Sequence, residues 1–103
     1  MNEFKKEVLK WFNVCFSNPT RIGKSSSSDI FSLNGLIVIF HYDIQKDEYN
    51  NQIQLFIANF EHIKNETSVL FNQYDSRETL VVKLDNFKKR IIEHKLVGER
   101  IYS

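Results

Sequence analysis

The residues Gly23-Lys24-Ser25 come closest to a chemical motif, because Gly-Lys-Ser ends a loop that holds nucleotide phosphates in many enzymes. The full motif has an earlier Gly, and Asn18 stands at that position here. Residues 36–43 even imitate the apolar strand that ends in a magnesium-binding Asp. The loop also needs a helix directly after it, so that backbone N–H groups converge on the phosphate. Serines and an Asp follow instead, and we therefore predict an exposed loop and no phosphate site.

Three His and one Cys are the other candidates for metal binding or nucleophilic chemistry. His41, His62 and His94 are far apart in the chain, whereas a metal site needs three or four convergent ligands. Cys15 falls on the apolar side of a predicted helix, where burial raises the pKa of a thiol and makes it inert. Glu61 and His62 could form an acid–base pair, but neighbours on a strand point to opposite faces. We therefore predict no catalytic, cofactor-binding or metal-binding residue, and no enzymatic activity.

A basic cluster near the C-terminal end is the main candidate for contact with a partner or with phosphate. It comprises Lys88, Lys89 and Arg90, with Lys95 beyond them. Positive charge on a helix can bind the backbone of a nucleic acid. No interleaved aromatic platform and no recognised nucleic-acid motif accompanies the cluster. We therefore expect a solvated helix face and keep nucleic-acid binding as the alternative function.

The composition limits the classes of protein that need to be considered. A chain of 103 residues forms one domain and is too short for a Rossmann domain, a TIM barrel or a kinase. Aromatic residues make up 14%, which supplies ample apolar surface for a core. One Cys excludes a disulfide framework and suits a reducing cytosol. The preference for Ile, Asn, Lys, Phe and Tyr follows AT-rich codons, as in a low-GC bacterium or its mobile elements.

Charge is segregated along the chain although the net charge is only +1. Residues 1–28 and 83–103 carry more basic than acidic side chains, and residues 29–82 carry more acidic ones. We interpret this pattern as attraction between the ends and the middle of one fold. No apolar leader is visible, and the longest apolar run, residues 36–40, is far too short to span a membrane.

The first element is predicted to be a helix over residues 3–15. Phe4, Val8, Trp11, Phe12 and Cys15 fall on one face at helical spacing. The lysines lie off that face, so the helix could lie on an anionic membrane, but packing on a sheet explains the same pattern. Residues 17–28, which contain four consecutive Ser, are predicted to be an exposed connector.

The strongest local signal is the dipeptide Asn34-Gly35, which favours a two-residue hairpin turn. Strands are predicted on either side of it and again over residues 53–60, with an antiparallel pairing between residues 36–44 and 53–60. Near their centres these strands are apolar on both faces. Such strands belong in a sheet that is covered on two sides, or in a sandwich.

The C-terminal third allows two interpretations. A fourth strand is predicted at residues 69–71. Leu80, Val82 and Leu84 then alternate like a strand, yet Leu80, Leu84, Phe87 and Ile91 fit a helix stripe that begins near Asp75 and Glu78. We favour a strand over residues 79–84 and a helix over about 86–96, capped by Asp85 and ended near Gly98.

These elements predict an α+β fold, with an antiparallel, meander-like sheet of about four or five strands over residues 29–84 and a helix from each end packed on it. The order helix, strands, helix is loosely similar to that of small secretion chaperones, immunity proteins and phage-encoded inhibitors, and no motif singles out one of them. We expect a non-enzymatic cytoplasmic module that binds another protein or a second copy of itself.

Overall fold

A computed structural model of the chain describes residues 2–17, 19–47 and 50–94. The fold is α+β, with two long helices on one face of a five-stranded antiparallel sheet whose strands follow chain order. The elements are α1 (Asn2–Cys15), β1 (Thr20–Lys24), β2 (Ser28–Leu33), β3 (Leu36–Asp47), β4 (Asn50–Ile57), a 3-10 turn (Glu61–Ile63), α2 (Lys64–Thr67), β5 (Val69–Asn72) and α3 (Arg77–Glu93). The predicted fold class is confirmed.

Helix α1 confirms the predicted N-terminal helix and its apolar face. Phe4, Val8 and Phe12 are buried against the sheet. The ring of Phe12 lies 5.2 Å from the ring of Phe31 and 4.8 Å from that of Phe40, centroid to centroid. These tilted and edge-on contacts join α1 to the centre of the sheet.

The β2–β3 hairpin turns at the predicted dipeptide. Asn34 and Gly35 have φ angles of 51° and 92°, and Leu33 pairs with Leu36 across the turn. Positive φ at both central positions is the requirement that Asn-Gly meets with least strain. The dipeptide therefore sets the register of the first long strand pair.

Strand β1 lies inside the segment that was predicted to be a connector. Thr20–Lys24 pairs antiparallel with β2, and only Ser25 to Ser27 remain as the exposed turn between the two strands. The sequence carries no signal for this strand, because an edge strand needs no alternating apolar pattern: four of its five residues are exposed. A bulge between Arg21 and Gly23 further disrupts the period.

The predicted antiparallel pairing of β3 with β4 is confirmed, with Phe40 opposite Leu55. Strict alternation along β3 would place Ile44 on the same side as Phe40 and Tyr42, but the register shifts between His41 and Ile44. This irregularity moves Ile44 to the opposite side, where it pairs with Gln52.

Helix α3 corrects the prediction for the C-terminal third. The strand over residues 79–84 is wrong, and the alternative helix stripe is right: Leu80, Leu84, Phe87 and Ile91 are all buried. Neither Asp75 nor Asp85 caps the helix. Ser76 does so, and its hydroxyl accepts a hydrogen bond from the backbone N–H of Thr79 at 3.2 Å. Residues 79–84 form a helix despite their strand-like alternation, because a continuous helix covers the sheet with one apolar stripe.

The core lies between the helices and one face of the sheet. Its residues share the inward side of their elements and are at most 8% exposed. The sheet contributes Phe31, Leu33, Leu36, Val38, Phe40, Tyr42, Ile53, Leu55, Ile57, Val69 and Phe71. This side of the sheet is called the inner face below.

Candidate functional site

The side of the sheet opposite the helices is called the open face below. We define it by four cross-strand rows. The rows are Thr20, Ser32 and Ile37; Gly23, Ile30, Ile39 and Phe56; Ser28, His41, Gln54 and Leu70; and Ile44, Gln52 and Asn72. Their side chains are half-buried or exposed. The alternate positions along β2, residues 36–42 of β3, residues 53–57 of β4 and β5 are buried, whereas Arg21 and Lys24 on β1 are exposed.

The second row forms an apolar stripe across the sheet. Ile30 pairs with Ile39, and Ile39 pairs with Phe56. On β1, Gly23 leaves room for this stripe, because a Cβ there would lie 3.1 Å from Cδ1 of Ile30. Ile30 can therefore lean over the edge strand. Cross-strand neighbours of this type form a continuous apolar surface.

The other three rows of the open face combine polar side chains with Ile37, Ile44 and Leu70. None of the residues in its four rows is Asp, Glu, Lys or Arg, although charged residues make up 26% of the chain. Lys64, from α2, does reach its margin, with its ammonium 4.8 Å from the centroid of the Phe56 ring. Depletion of charge is the compositional sign of the centre of a protein interface.

The two glutamine amides of the open face each donate one hydrogen bond within the molecule. Gln52 Nε2 donates to Asn72 Oδ1 at 2.6 Å. Gln54 Nε2 donates to Ser68 Oγ at 2.9 Å. Side chains that are hydrogen-bonded in this way cost less free energy to bury than unpaired amides.

The two edges of the sheet differ in whether another strand could join them. At the β5 edge, side chains of α3 donate hydrogen bonds to backbone carbonyl oxygens that an added strand would need. Lys83 Nζ donates to Leu70 O at 2.9 Å, and Arg90 Nη1 donates to Ser68 O at 3.3 Å. Lys83 also forms an ion pair of 2.6 Å with Asp75. Strand β1 forms the other edge and is short, exposed and bulged, features that protect an edge from unwanted pairing.

Within the described part of the chain, Lys88, Lys89 and Arg90 of the predicted basic cluster are directed to different parts of the molecule. Lys88 Nζ donates to the carbonyl of Cys15 at 3.2 Å, toward the end of α1. Arg90 is directed toward β5 by the bond described above, and Lys89 is exposed. The fourth predicted residue, Lys95, lies outside the described residues. The structure thus separates the cations that the sequence placed together.

The His and Cys candidates are also spread over the molecule. His41 is exposed on the open face, His62 stacks edge-on near Phe60, and His94 Nε2 lies 3.2 Å from Glu66 Oε2. Over residues 2–17, 19–47 and 50–94, no three His, Cys, Asp or Glu side chains could hold a metal ion together.

Cys15 is the one thiol of the chain and is half-buried where α1 ends. Burial raises its thiol pKa, and the charge of Asp85 adds to that effect. Lys88 acts in the opposite direction. A raised pKa reduces the fraction of thiolate at neutral pH, and with it the nucleophilic reactivity.

Gly23 and Lys24 end strand β1, and the Ser-rich turn leads into β2. The helix that a phosphate-binding loop requires does not follow them. Lys24 is exposed and pairs in register with Asp29.

Asp29, which was not among the predicted site residues, is fully buried on the inner face. Tyr42 donates its hydroxyl hydrogen to Asp29 Oδ2 at 2.5 Å. Arg21 Nε lies 3.4 Å from Oδ1 without hydrogen-bond geometry, and Lys5 Nζ lies 4.0 Å from Oδ2. The period-two pattern of β2 could have revealed this position, since Asp29 alternates with Phe31 and faces the core.

This cluster joins α1 to the edge of the sheet. Lys5 also lies over the Tyr42 ring, 4.4 Å from its centroid. Burial and the hydrogen bond to Asp29 together raise the pKa of the Tyr42 hydroxyl far above its ordinary value. The hydroxyl therefore stays protonated, and the cluster acts as a structural anchor.

An open cleft of about 430 Å³ lies between α1 and the start of α3. Glu3, Glu7, Asp75 and Arg77 line it together with Tyr74. Glu7 accepts a hydrogen bond from the Trp11 indole at 2.9 Å. The cleft is lined by charges of both signs and is open to solvent, whereas a small-molecule site encloses most of its ligand.

Comparisons of the chain with protein-family models, with curated proteins and with solved structures found no match. Among the described residues, no helix has the length and apolar character that a membrane crossing requires.

Proposed function

We propose that this chain is a small, non-enzymatic module that binds a protein through its open face. The observation that carries the proposal is the uncharged character of that face around the stripe of Ile30, Ile39 and Phe56. The partner surface should match it: apolar at its centre, and uncharged. An adaptor, inhibitor or immunity-type role in the cytoplasm would suit such a module.

The pattern of the central strands supports this proposal. Strands β3 and β4 are apolar on both sides near their centres, as in sheets that are covered twice. In the described structure the helices cover one side only. A partner on the open face would supply the second cover, and burying the stripe would provide the free energy of binding.

The polar chemistry of the chain gives further support. The most deeply buried polar pair, Asp29 and Tyr42, is enclosed in the core where a substrate would have no access. Two cations of the basic cluster, Lys88 and Arg90, make contacts within the molecule. We therefore favour protein binding over catalysis and over the nucleic-acid alternative.

Affinity purification from the source cells, followed by mass spectrometry, tests the proposal when it is run with three baits. The wild type and Val82→Lys should capture the same protein, and Ile39→Lys should lose it. Val82 is the matched control, because it is also β-branched, is 56% exposed and lies on α3. A lysine at position 39 would place an unpaired charge in the centre of the contact.

Binding must then be reproduced by calorimetry with the purified partner. Circular dichroism must show that Ile39→Lys is folded. Equal affinity of folded Ile39→Lys and wild type would contradict the proposal. So would the failure of wild-type bait to retain any protein that binds directly in the purified system.

A further inference from the structure

We infer that the occupant of the open face is a second copy of this chain, packed face to face about a twofold axis. The inference rests on the proposed function, since it names the partner of the same surface. The resulting assembly is a sandwich of two sheets, about 10 Å apart, with the helices on its two outer sides.

The first argument is electrostatic. In a twofold interface a surface meets itself, so any charged residue near the axis meets its own charge. On the outer surfaces of the helices, charged residues such as Lys88 and Lys89 are exposed, so an axis that passed near them would bring like charges together. The four rows of the open face contain no Asp, Glu, Lys or Arg, and Lys64 approaches the ring of Phe56 from outside these rows.

The second argument concerns the polar side chains that a dimer would bury. Gln52 and Gln54 each donate one hydrogen bond within their own molecule, to Asn72 and to Ser68. These bonds lower the free energy cost of burying the two side chains. The remaining amide donors and acceptors would bond across the interface or to bridging water.

The third argument is the size of the face. Five strands at about 4.8 Å spacing, each contributing about six residues at about 3.3 Å, give a flat area of about 400 Å² per copy. Two copies would bury about 800 Å², more where side chains interlock, which is below the range of stable specific interfaces and within that of weak, transient ones. We therefore expect a weak, reversible dimer.

The alternative dimer would join two β1 strands edge to edge. Arg21 and Lys24 would then lie along the shared edge of both copies, and the bulge at Ile22 would interrupt the new ladder. Like charges directly opposite one another are unfavourable in a sheet. The open face is thus the better surface for self-association.

Sedimentation velocity of the full chain, from about 1 to 500 μM, tests the inference. The wild type should shift from monomer to dimer over this range. Ile39→Lys should weaken the dimer by about 100-fold or more, because each dimer would bury two unpaired ammonium groups. Val82→Lys should behave like the wild type.

A second pair of variants covers the case in which Ile39→Lys fails to fold. Ser32 is a half-buried polar residue on the open face, and Asn86 is an exposed polar residue on α3. Ser32→Lys should abolish the dimer, whereas Asn86→Lys should keep it.

A wild type that stays monomeric at 500 μM would overturn the inference. So would a dimer that persists in folded Ile39→Lys and Ser32→Lys, since it would use another surface. A wild type that stays monomeric but binds a different protein, with binding lost in Ile39→Lys, would overturn the inference that a second copy is the partner. The proposed function would then still hold. A dimer that depends on Ile39 and captures no other protein would support the inference and reject a separate partner.

Discussion

The two broad surfaces of this molecule differ in charge. The helix layer carries exposed charged residues along both of its helices. These include Lys6, Glu7 and Lys10 on α1, and Glu78, Asp85, Lys89 and Glu93 on α3. The open face has none in its four rows. A surface that stays in water tolerates charge at almost every position, so the difference shows which surface is suited to being covered.

The same contrast exists between adjacent residues of one strand. Phe40 faces the helices and is fully buried, while Ile39 faces the other way and is half-buried. Both are apolar, so only the surroundings distinguish them. Each of the following predictions uses one side of this comparison against the other.

The largest effect is expected inside the core. Phe40→Ala should lower the free energy of unfolding by about 2–5 kcal/mol, because it removes ring contacts and leaves a cavity. Ile39→Ala should cost about 1 kcal/mol or less in the monomer, since a half-buried side chain loses less. Urea denaturation at low protein concentration measures both. Equal losses would mean that the open face is already covered in the monomer.

The next effect concerns the buried anchor. Asp29→Ala should cost about 2–3 kcal/mol, because the buried Tyr42 hydroxyl loses its acceptor. Asp29→Asn keeps an acceptor oxygen and should cost less. Arg21 and Lys5 remain partly exposed to water and add little to the loss. Chemical denaturation of the two variants should show this order. A neutral Asp29→Ala would contradict the role of the cluster as an anchor.

Alkaline pH should weaken the same anchor. The pKa of Tyr42 is raised in the folded chain, so above about pH 10 the unfolded chain releases this proton and the folded one does not. The contribution of Tyr42 to stability should therefore be constant below about pH 10 and fall above it, by up to about 1.4 kcal/mol per pH unit. Tyr42→Phe should lack this part of the decline. Thermal melts of both proteins from pH 8 to 11.5 provide the measurement, and identical slopes would refute the assignment.

The smallest effect is expected at the basic cluster. Reversal of Lys88, Lys89 and Arg90 to Glu should leave oligonucleotide binding as low as in the wild type near physiological salt. Two of these cations are held by contacts within the molecule, and the third stands alone. Fluorescence anisotropy with labelled DNA and RNA measures this. Sub-micromolar binding that falls steeply with salt, and that the reversal abolishes, would establish the nucleic-acid alternative.

Features that depend on a few neighbouring residues could be predicted from the sequence. The Asn34-Gly35 turn was predicted because positive φ is a local requirement, and the face of α1 because helical period is a local pattern. Strand β1 could not be predicted, since only its hydrogen bonds to β2 make it a strand. The register shift after His41 was equally hidden, because an irregular pairing involves two strands at once.

For the candidate site, the sequence revealed that β3 and β4 are apolar on both sides, but it did not show which side the helices would leave open. It placed Lys88 and Arg90 together, whereas the structure turns them toward different elements. The side of a helix on which a residue lies can be predicted from the spacing of residues in the sequence. The acceptor that each side chain reaches depends on which strand or helix lies beside it.

The sequence by itself determined the class of fold, the antiparallel order of the central strands and the absence of a recognisable catalytic motif. These follow from composition, from period and from connections too short for a parallel crossover. Only the tertiary structure decided that residues 79–84 belong to a helix, that Asp29 lies inside the core, and that one face of the sheet is uncharged and open. Each of these depends on contacts between segments that are distant in the chain, and the free energy of such contacts outweighs local preference.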